Sequence, residues 1–494
     1  MEYEVVIGLE VHTEMLTESK MFCACPVVNY TTAAPNIAVC PVCAGMPGVL
    51  PVINQKAVEY AVRVGLALEC EIAPVSIFAR KNYFYPDLPK GYQISQFEEP
   101  LASNGRLKIQ TSQGEKTIRI LRAHLEEDAG KLTHMERDGE TYSLVDLNRA
   151  GVALLEIVTE PDMRSVEEAV AYGRALRDII RYVGVNSGDM SKGVMRFEAN
   201  VSVREAGSDV LNPRAEIKNL NSFRAMERAV NYQIEQQIAK MERGEKVEQE
   251  TLGWDEARQE TYSQRSKEDA HDYRYFPEPD LPPLVLEPAW MDEIAASLPE
   301  LPQAKAARFQ LQFGLTEVDA NLLAGEQEIA NFLEAVLAAG PSLPPRLAAN
   351  WMTGEIFGWM NTSGETIDGL QVTPQGLADL LALLEKGEIN APTAKTVLTG
   401  MLETGQSAGE IITARGLRQI SDTGAIAGLV RQVLEQNPNE LETCLAGKDS
   451  LSNWFFGQVM RAARGKANPQ VVREELMRQL AAANELSDKR DQAA

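Results

Sequence analysis

The chain has 494 residues, of which 44% are hydrophobic, and its formal net charge is −23. This length exceeds what one hydrophobic core supports and predicts about three domains. No apolar run approaches the roughly 18 residues needed to cross a bilayer, which excludes a membrane protein. The bulk negative charge would repel RNA, so any RNA site requires a local basic patch.

The first residues, 4–13, alternate as a buried strand would, with neither a signal-type apolar stretch nor an Arg-rich transit peptide before them. We therefore expect a cytoplasmic protein. Short strand patterns with few helices continue to about residue 290. Two helices are predicted in this region, one after Ser165, which has capping-box spacing to Glu168, and one that starts near Ser222.

A proline-rich stretch, 272–283, predicts an extended segment that closes the first region. Helical patterns with Pro or Gly breaks follow it. The predicted class is α+β, with an antiparallel-sheet-rich N-terminal cradle domain followed by all-α helical and tail domains. The predicted domains are residues 1–290, 291–405 and 406–494.

Four cysteines fall within 21 residues as two close pairs, a spacing that suits a tetrahedral thiolate site for zinc. Four thiolates would leave no open coordination position, so the metal is expected to be structural. The alternatives are disulfides, which a reducing cytoplasm disfavours, and coincidental buried thiols. The predicted zinc ligands are Cys23, Cys25, Cys40 and Cys43.

Three predicted strands each carry a polar face opposite an apolar one, since side chains alternate with a period of two residues. Glu, Asp, His, Asn and Arg on such faces are groups that coordinate hard cations and clamp carboxylates or phosphates. A site for a magnesium nucleotide is a reasonable inference. The alternative is that each face is only the solvated side of an antiparallel sheet. The polar faces comprise Glu10, His12 and Glu14; Arg122, His124, Glu126 and Asp128; and Arg196, Glu198, Asn200, Ser202 and Arg204.

The chain contains neither a P-loop motif nor a strand-linked Rossmann glycine motif. Any phosphoryl transfer must therefore use another scaffold.

Motifs along most of the chain resemble the B subunit of aspartyl/glutamyl-tRNA amidotransferase. They lie at residues 7–12, 40–51, 80–95, 124–131, 146–149, 156–162, 216–223 and 272–283. The C-terminal segments 456–460 and 465–469 resemble the helical tail of YqeY-type proteins, so the resemblance extends to about residue 480.

The resemblance implies a heterotrimer of A, B and C subunits. The A subunit, an amidase, releases ammonia from glutamine, and the small C subunit wraps the other two. The B subunit would use ATP and Mg²⁺ to phosphorylate the side-chain carboxylate of Glu-tRNA(Gln) or Asp-tRNA(Asn), and channelled ammonia would displace the phosphate. The implied catalytic residues are Glu10, His12, Glu126, Glu127 and Asp128, with Glu10, His12 and Glu126 as magnesium ligands.

Lys81, Arg196, Glu198 and Asn200 are candidate substrate or channel contacts, although an exposed solvated lysine is an equal alternative for Lys81. Two positions depart from the family pattern: Glu198 stands where an aspartate is expected, and residues 211–214 replace a Gly-Thr-Arg turn. The candidate tRNA contacts in the locally basic tail are Arg461, Arg464 and Lys466.

Two other functions compete with that of the amidotransferase. One is a non-catalytic, zinc-stapled protein for tRNA binding or assembly, in which the polar strand faces are only surface. The other is an ATP-dependent ligase that works without a glutaminase.

Overall fold

The computed structural model describes residues 2–266, 273–417, 423–445, 448, 450–463 and 467–491. The chain forms two compact units, Met1–Pro302 and Gln303–Ala494. Every strand among the described residues lies in the first unit, which confirms the predicted α+β class. In both units, the helices among the described residues are too short or too polar to span a bilayer. The three-domain division with boundaries near residues 290 and 405 stays a prediction.

The first unit contains sixteen strands among the residues the structure describes. They are β1 (Tyr3–Glu14), β2 (Glu71–Ile72), β3 (Val75–Ser76), β4 (Phe78–Asn82), β5 (Tyr92–Gln96), β6 (Ala102–Thr111), β7 (Gly114–Glu127), β8 (Lys131–Arg137), β9 (Glu140–Asp146), β10 (Ala153–Thr159), β11 (Met195–Glu205), β12 (Ala215–Leu220), β13 (Glu250–Asp255), β14 (Glu260–Ser266), β15 (Phe276–Pro277) and β16 (Leu284–Val285).

Nine of these strands form one sheet in the order β14-β13-β12-β11-β1-β10-β7-β6-β2. All neighbouring pairs are antiparallel except β12 and β13, which are parallel. One face of this sheet is apolar and buried, and it includes Leu9, Val11, Leu125 and Ile157. The three predicted alternating strands are thus confirmed, and their polar residues share the opposite face.

A smaller sheet in the order β15-β4-β5 lies against the end of β7. The ladder between β6 and β7 ends at Ala102 and Ala123. Beyond that point Gln96 Oε1 accepts a hydrogen bond from Leu125 N at 2.9 Å, so a β5 side chain replaces the missing strand partner. The predicted extended segment supplies β15, which pairs with β4; its residue 272 lies outside the described part.

The described residues of the first unit form four α-helices: α1 (Gln55–Ala67), α2 (Val166–Tyr182), α3 (Phe223–Glu242) and α4 (Pro288–Ala296). Both predicted helix starts are confirmed, and each serine caps its helix: Ser165 Oγ accepts from Glu168 N and Ser222 Oγ accepts from Ala225 N. The reciprocal half of the capping box does not form after Ser165. Glu168 Oε2 instead accepts from Arg164 N at 2.6 Å and from Lys116 Nζ at 2.7 Å.

The second unit is helical throughout its described residues. One apolar cluster unites α5 (Pro302–Phe313), α6 (Glu317–Ala324), α7 (Gln327–Ala339), α8 (Pro345–Trp351), α9 (Phe357–Ser363), α10 (Pro374–Glu385), α11 (Ala391–Thr404) and α12 (Ala408–Arg415). A second cluster unites α13 (Thr423–Gln436), α14 (Pro438–Leu445), α15 (Ser450–Ala462) and α16 (Pro469–Asp491).

Candidate functional site

Strand register brings the polar residues of four strands together on one face of the large sheet. His12 of β1 lies opposite Arg196 of β11 and Glu156 of β10, and Glu156 lies opposite His124 of β7. Neighbouring antiparallel strands hold directly opposite side chains within about 5.5 Å, so this row forms a continuous set of charged groups. One face of the sheet therefore carries a continuous charged surface.

His12, Glu126 and Glu156 form the first cluster, with one ligand atom from each side chain within 4.8 Å of the others. His12 Nε2 lies 3.7 Å from Glu126 Oε1 and 3.5 Å from Glu156 Oε2. His124 Nε2 is 3.3 Å from the same Glu156 oxygen. His124, Glu126 and Glu156 are 2%, 1% and 7% exposed, so this part of the face is not the solvated side of a sheet.

Electrostatics couples these groups. Burial favours the neutral imidazole of His12, but hydrogen bonding to Glu156 and the charges of the nearby carboxylates outweigh burial and raise the pKa of His12 to about 9. Burial likewise opposes ionisation of Glu156, yet the two histidines hold its pKa well below the usual range. Glu156 is therefore a carboxylate shared by two imidazoles.

Glu10, Glu198 and Glu216 form a second cluster on the same face, again with ligand atoms within 4.8 Å of one another. The pKa of Glu10 is raised, first by burial and then by the carboxylates of Glu156 and Glu198. Lys218 Nζ donates to Glu198 at 2.6 Å and lies 2.8 Å from Glu216.

Asn200 Nδ2 donates to Glu10 at 2.9 Å, whereas Asn200 Oδ1 is buried without a hydrogen-bond partner among the described residues. Crowded carboxylates and an orphaned amide oxygen are the donor set that a hard divalent cation prefers.

The three magnesium ligands expected from the sequence are divided between the two clusters, with His12 and Glu126 in the first and Glu10 in the second. Glu156 and Glu216 were not expected as ligands from the sequence. Glu156 had a detectable signal, because it is the only charged residue in the otherwise apolar run of β10. Glu216 begins the motif segment 216–223, but its strand partner could not be assigned without the register of β11 and β12.

The adjacent acidic residues at the end of β7 have different environments. Glu126 belongs to the first cluster, whereas Glu127 Oε1 accepts from Ile94 N at 3.0 Å and pairs with Lys90 Nζ. Asp128 Oδ2 accepts from Arg196 Nη2 at 2.8 Å and lies 3.6 Å from Arg149 Nε. Glu127 and Asp128 are thus each bound to basic or backbone donors and lie outside both carboxylate clusters.

Two basic side chains border the first cluster without a carboxylate within 4 Å among the described residues. Lys81 is partly buried, and its ammonium lies 5.1 Å from the centre of the Tyr273 ring. Burial opposes its charge, but the carboxylates of Glu126 and Glu156 raise the pKa of Lys81. Lys81 is therefore not a freely solvated lysine.

The second basic side chain is Arg122 of β7. Its guanidinium carbon lies 5.5 Å from the centre of the Phe97 ring, and that ring stacks on Tyr275 at 4.1 Å. Arg122 Nε is buried and has no hydrogen-bond partner in the described part of the chain. A guanidinium held by aromatic packing in this way keeps its donors for a bound anion.

A cleft of about 1330 Å³ opens beside the second cluster. Its lining includes Glu10, Asn200, Arg214 and Lys246. The volume exceeds the roughly 300–1,000 Å³ of a pocket for one drug-sized ligand. The cleft can therefore hold a nucleotide together with part of a larger substrate.

The four predicted cysteine ligands converge at one point, with their sulfur atoms within 4.8 Å of one another. Cys43 Sγ lies 3.9 Å from the sulfurs of Cys25 and Cys40. Four sulfurs at about 2.3 Å from a tetrahedral zinc would be about 3.8 Å apart, so these cysteines could bind a metal such as zinc. All four thiols are free, without a disulfide.

Of the three candidate tRNA contacts, Arg461 near the end of α15 is exposed, and its Nη1 donates to Gln458 at 3.4 Å. Arg464 and Lys466 lie outside the described residues.

Comparison with known proteins gives the family. Residues 5–292 match the GatB/GatE catalytic domain, and residues 331–480 match the GatB domain. The chain is similar to the B subunit of the aspartyl/glutamyl-tRNA(Asn/Gln) amidotransferase of Myxococcus xanthus, with 50% identity over 97% of this chain and 99% of the relative. It is 51% identical to the protein of the same name from Geotalea uraniireducens, over 97% of this chain and 100% of the relative. It is 50% identical to that from Thermodesulfovibrio yellowstonii, over 96% of this chain and 98% of the relative. The charged strand face lies within the matched catalytic domain, and the chain belongs to the family of B subunits of the tRNA-dependent Asp/Glu amidotransferases.

Proposed function

We propose that this chain activates the side-chain carboxylate of Glu-tRNA(Gln) or Asp-tRNA(Asn) by ATP-dependent phosphorylation and directs its amidation by ammonia. In this reaction a carboxylate oxygen attacks the γ-phosphorus of ATP and ADP leaves. Ammonia then attacks the acyl carbon, loses a proton, and expels phosphate. The observation that carries the proposal is the pair of clusters on one sheet face beside a large cleft.

The second cluster suits Mg²⁺, because Glu10, Glu198 and Glu216 offer only carboxylate oxygens. The first cluster adds His12, whose imidazole would have to release its proton before its nitrogen could bind a second divalent cation. Cations held by these residues would offset the negative charge that develops during phosphoryl transfer. The glutamates would act as ligands rather than as nucleophiles.

Lys81 and Arg122 would supply positive charge for the incoming anions, since neither has a carboxylate within 4 Å among the described residues. The carboxylate of the substrate must approach the phosphate of ATP, and two anions approach only where fixed cations lower their repulsion. The unpartnered Nε of Arg122 fits this role, since a guanidinium binds a carboxylate or phosphate through two parallel hydrogen bonds. Arg196, which we expected to contact the substrate, donates to Asp128 and would instead fix the position of that carboxylate at the edge of the site.

We infer that the active form is a heterotrimer in which this chain joins the A subunit, an amidase that releases ammonia from glutamine, and the small C subunit. This would make the assembly a ligase that forms a carbon-nitrogen bond. Four adjacent free thiols suit a structural zinc centre in a reducing compartment, so we infer a cytoplasmic protein. The tail residues Arg461, Arg464 and Lys466 would contribute to tRNA binding.

The test is ammonia-dependent conversion of Glu-tRNA(Gln) to Gln-tRNA(Gln) by the assembled complex with ATP and Mg²⁺. His12→Ala should lower the rate of the activation step by about 10²–10³. The matched control is His134→Ala on β8, because His134 is exposed and its Nδ1 hydrogen-bonds to Ser143 Oγ, away from both carboxylate clusters.

Full activity of an assembled His12→Ala complex would refute the assignment. That result would favour the competing function, a non-catalytic protein that binds tRNA or assists assembly.

A further inference from the structure

Lys20, at the start of the cysteine region, is a lysine whose side chain is completely buried. Its ammonium donates to Ala38 O at 2.7 Å and Leu147 O at 3.2 Å, and it lies 3.7 Å from Cys43 Sγ. Across the residues that the structure describes, no carboxylate lies within 4 Å of this nitrogen. Lysine is almost never fully buried without a counter-charge, because removing an ammonium from water is costly.

The anion that faces Lys20 is the cysteine cluster. Four neutral thiols would carry no charge and could not compensate a buried ammonium. Four thiolates around one divalent cation carry a net charge of −2, since −4 and +2 sum to that value. The buried lysine therefore favours a metal-thiolate centre over four unrelated thiols. This role of Lys20 rests on the proposed function of the cysteines as a zinc site.

We propose that Lys20 is the counter-charge of the tetrathiolate metal centre and the positioning residue that ties this centre to the turn after β9. The ammonium joins Cys43 to the carbonyl of Leu147. Two residues further along, Arg149 donates to Ala129 O at 2.9 Å and to Gly130 O at 2.6 Å.

Backbone contacts in the same region support this role. Met21 N donates to Gly151 O at 2.8 Å, and Gly151 N donates to Asp128 O at 2.9 Å. Gly151 has a φ of +87°, and a Cβ there would lie 3.4 Å from Cys43 Cβ and 3.5 Å from Lys20 Cδ. The turn that carries Arg149 is therefore closely packed on both the lysine and the cysteine centre.

The experiment uses the full-length protein with zinc as the probe. Zinc content is measured by atomic emission and zinc affinity by competition with a chromophoric chelator. The absorption spectrum of the cobalt-substituted protein reports the thiolate environment. Lys20→Met should lower zinc affinity by about 10- to 100-fold, as expected for the loss of a group that contacts a metal ligand, and should shift the cobalt bands.

Lys90→Met is the matched control. Lys90 is also a largely buried lysine near the cysteine region, but its partner is the carboxylate of Glu127. Its replacement should lower stability without changing zinc affinity. Lys20→Gln, which keeps a hydrogen-bond donor but removes the charge, should lose zinc affinity as Lys20→Met does.

Thermal melting distinguishes charge compensation from simple anchoring of two carbonyls. Lys20→Met should lower the melting temperature more in the zinc-loaded protein than in the metal-free protein, because only the loaded centre is anionic. An equal decrease in both forms, or unchanged zinc affinity of the variants, would overturn the proposal while leaving the zinc site intact. Wild-type protein that binds no zinc would overturn the zinc site itself.

Discussion

The adjacent residues Glu126 and Glu127 allow a matched test of the candidate site, because the same Glu→Gln substitution should have opposite consequences at the two positions. Both carboxylates are nearly completely buried. Glu126 faces His12 within the first cluster, whereas Glu127 pairs with Lys90 and accepts from Ile94 N. We expect Glu126→Gln to impair the activation step and Glu127→Gln to impair stability.

The stability change at Glu126 follows from opposing charges. Its oxygen is 3.7 Å from His12 Nε2, which gives an attraction of about 4.5 kcal/mol at an effective dielectric constant of about 20. Its ligand oxygen is within 4.8 Å of that of Glu156, which gives a repulsion of about 3.5 kcal/mol or more. Lys81 adds a further attraction, but glutamine can keep the hydrogen bond from Ser95 Oγ at 3.3 Å. Glu126→Gln should therefore lower the free energy of unfolding by about 1–2 kcal/mol, less than the loss of a buried ion pair.

No such cancellation protects Glu127. Its substitution leaves the ammonium of Lys90, whose side chain is 10% exposed, without a counter-charge. Breaking a buried pair costs about 3–5 kcal/mol, and we expect the lower end because glutamine can still accept from Ile94 N.

The assay is ADP release that depends on Glu-tRNA(Gln), measured with the assembled complex, together with thermal melting of each variant. Glu126→Gln should reduce the activation rate by about 10²–10³, or about 2.7–4 kcal/mol. Glu127→Gln should melt several degrees lower but remain within about fivefold of wild-type activity well below its melting temperature. Normal activity of Glu126→Gln with loss of activity in folded Glu127→Gln would refute the assignment.

Three further predictions test other parts of the structure. Arg122→Met should slow activation by about 10- to 100-fold, the loss expected for a hydrogen bond to a charged group. The control Arg119→Met, on the same strand but exposed and paired with Asp162, should leave the activation rate unchanged. Equal rates for the two variants would contradict the role of Arg122. Glu278→Ala should destabilise the chain by about 1–3 kcal/mol in chemical denaturation, because it removes the two hydrogen bonds from Arg80 and leaves the more exposed Asp280 as the partner of that guanidinium; an unchanged transition would refute this. Chelation that demonstrably removes the metal should lower the melting temperature, and an unchanged temperature would argue against a structural zinc centre.

The sequence could predict the charged face because β-strand periodicity is local. Alternation along three strands was enough to assign Glu10, His12, Glu126 and Glu198 to polar faces, and the structure places them on one face. The order of strands in the sheet is not local, so alternation could not reveal which residues meet across strands. The separation of Glu10 from His12 into two clusters depends on β11 and β10 lying on opposite sides of β1.

Other features depended on contacts between distant segments. Alternation assigns Glu126 but not Glu127 to the polar face of β7, whereas the partners that β5 supplies, Ser95 Oγ for Glu126 and Ile94 N for Glu127, could not be predicted from the sequence. The role of Lys20 was missed for a similar reason, since its partners are residues 38, 43 and 147. The cysteine cluster could be predicted because four ligands within a short segment need little information about the rest of the fold.

Glu10 and His12 belong to one strand and are separated by a single residue. An extended backbone advances about 3.3–3.4 Å per residue, so covalent geometry keeps their Cα atoms nearly 7 Å apart. Inserting or deleting one residue between them would turn one of the two toward the apolar core. Changes in chain length can thus be tolerated in the surface loops but not within this strand. The length of β1 therefore fixes the spacing between the two clusters.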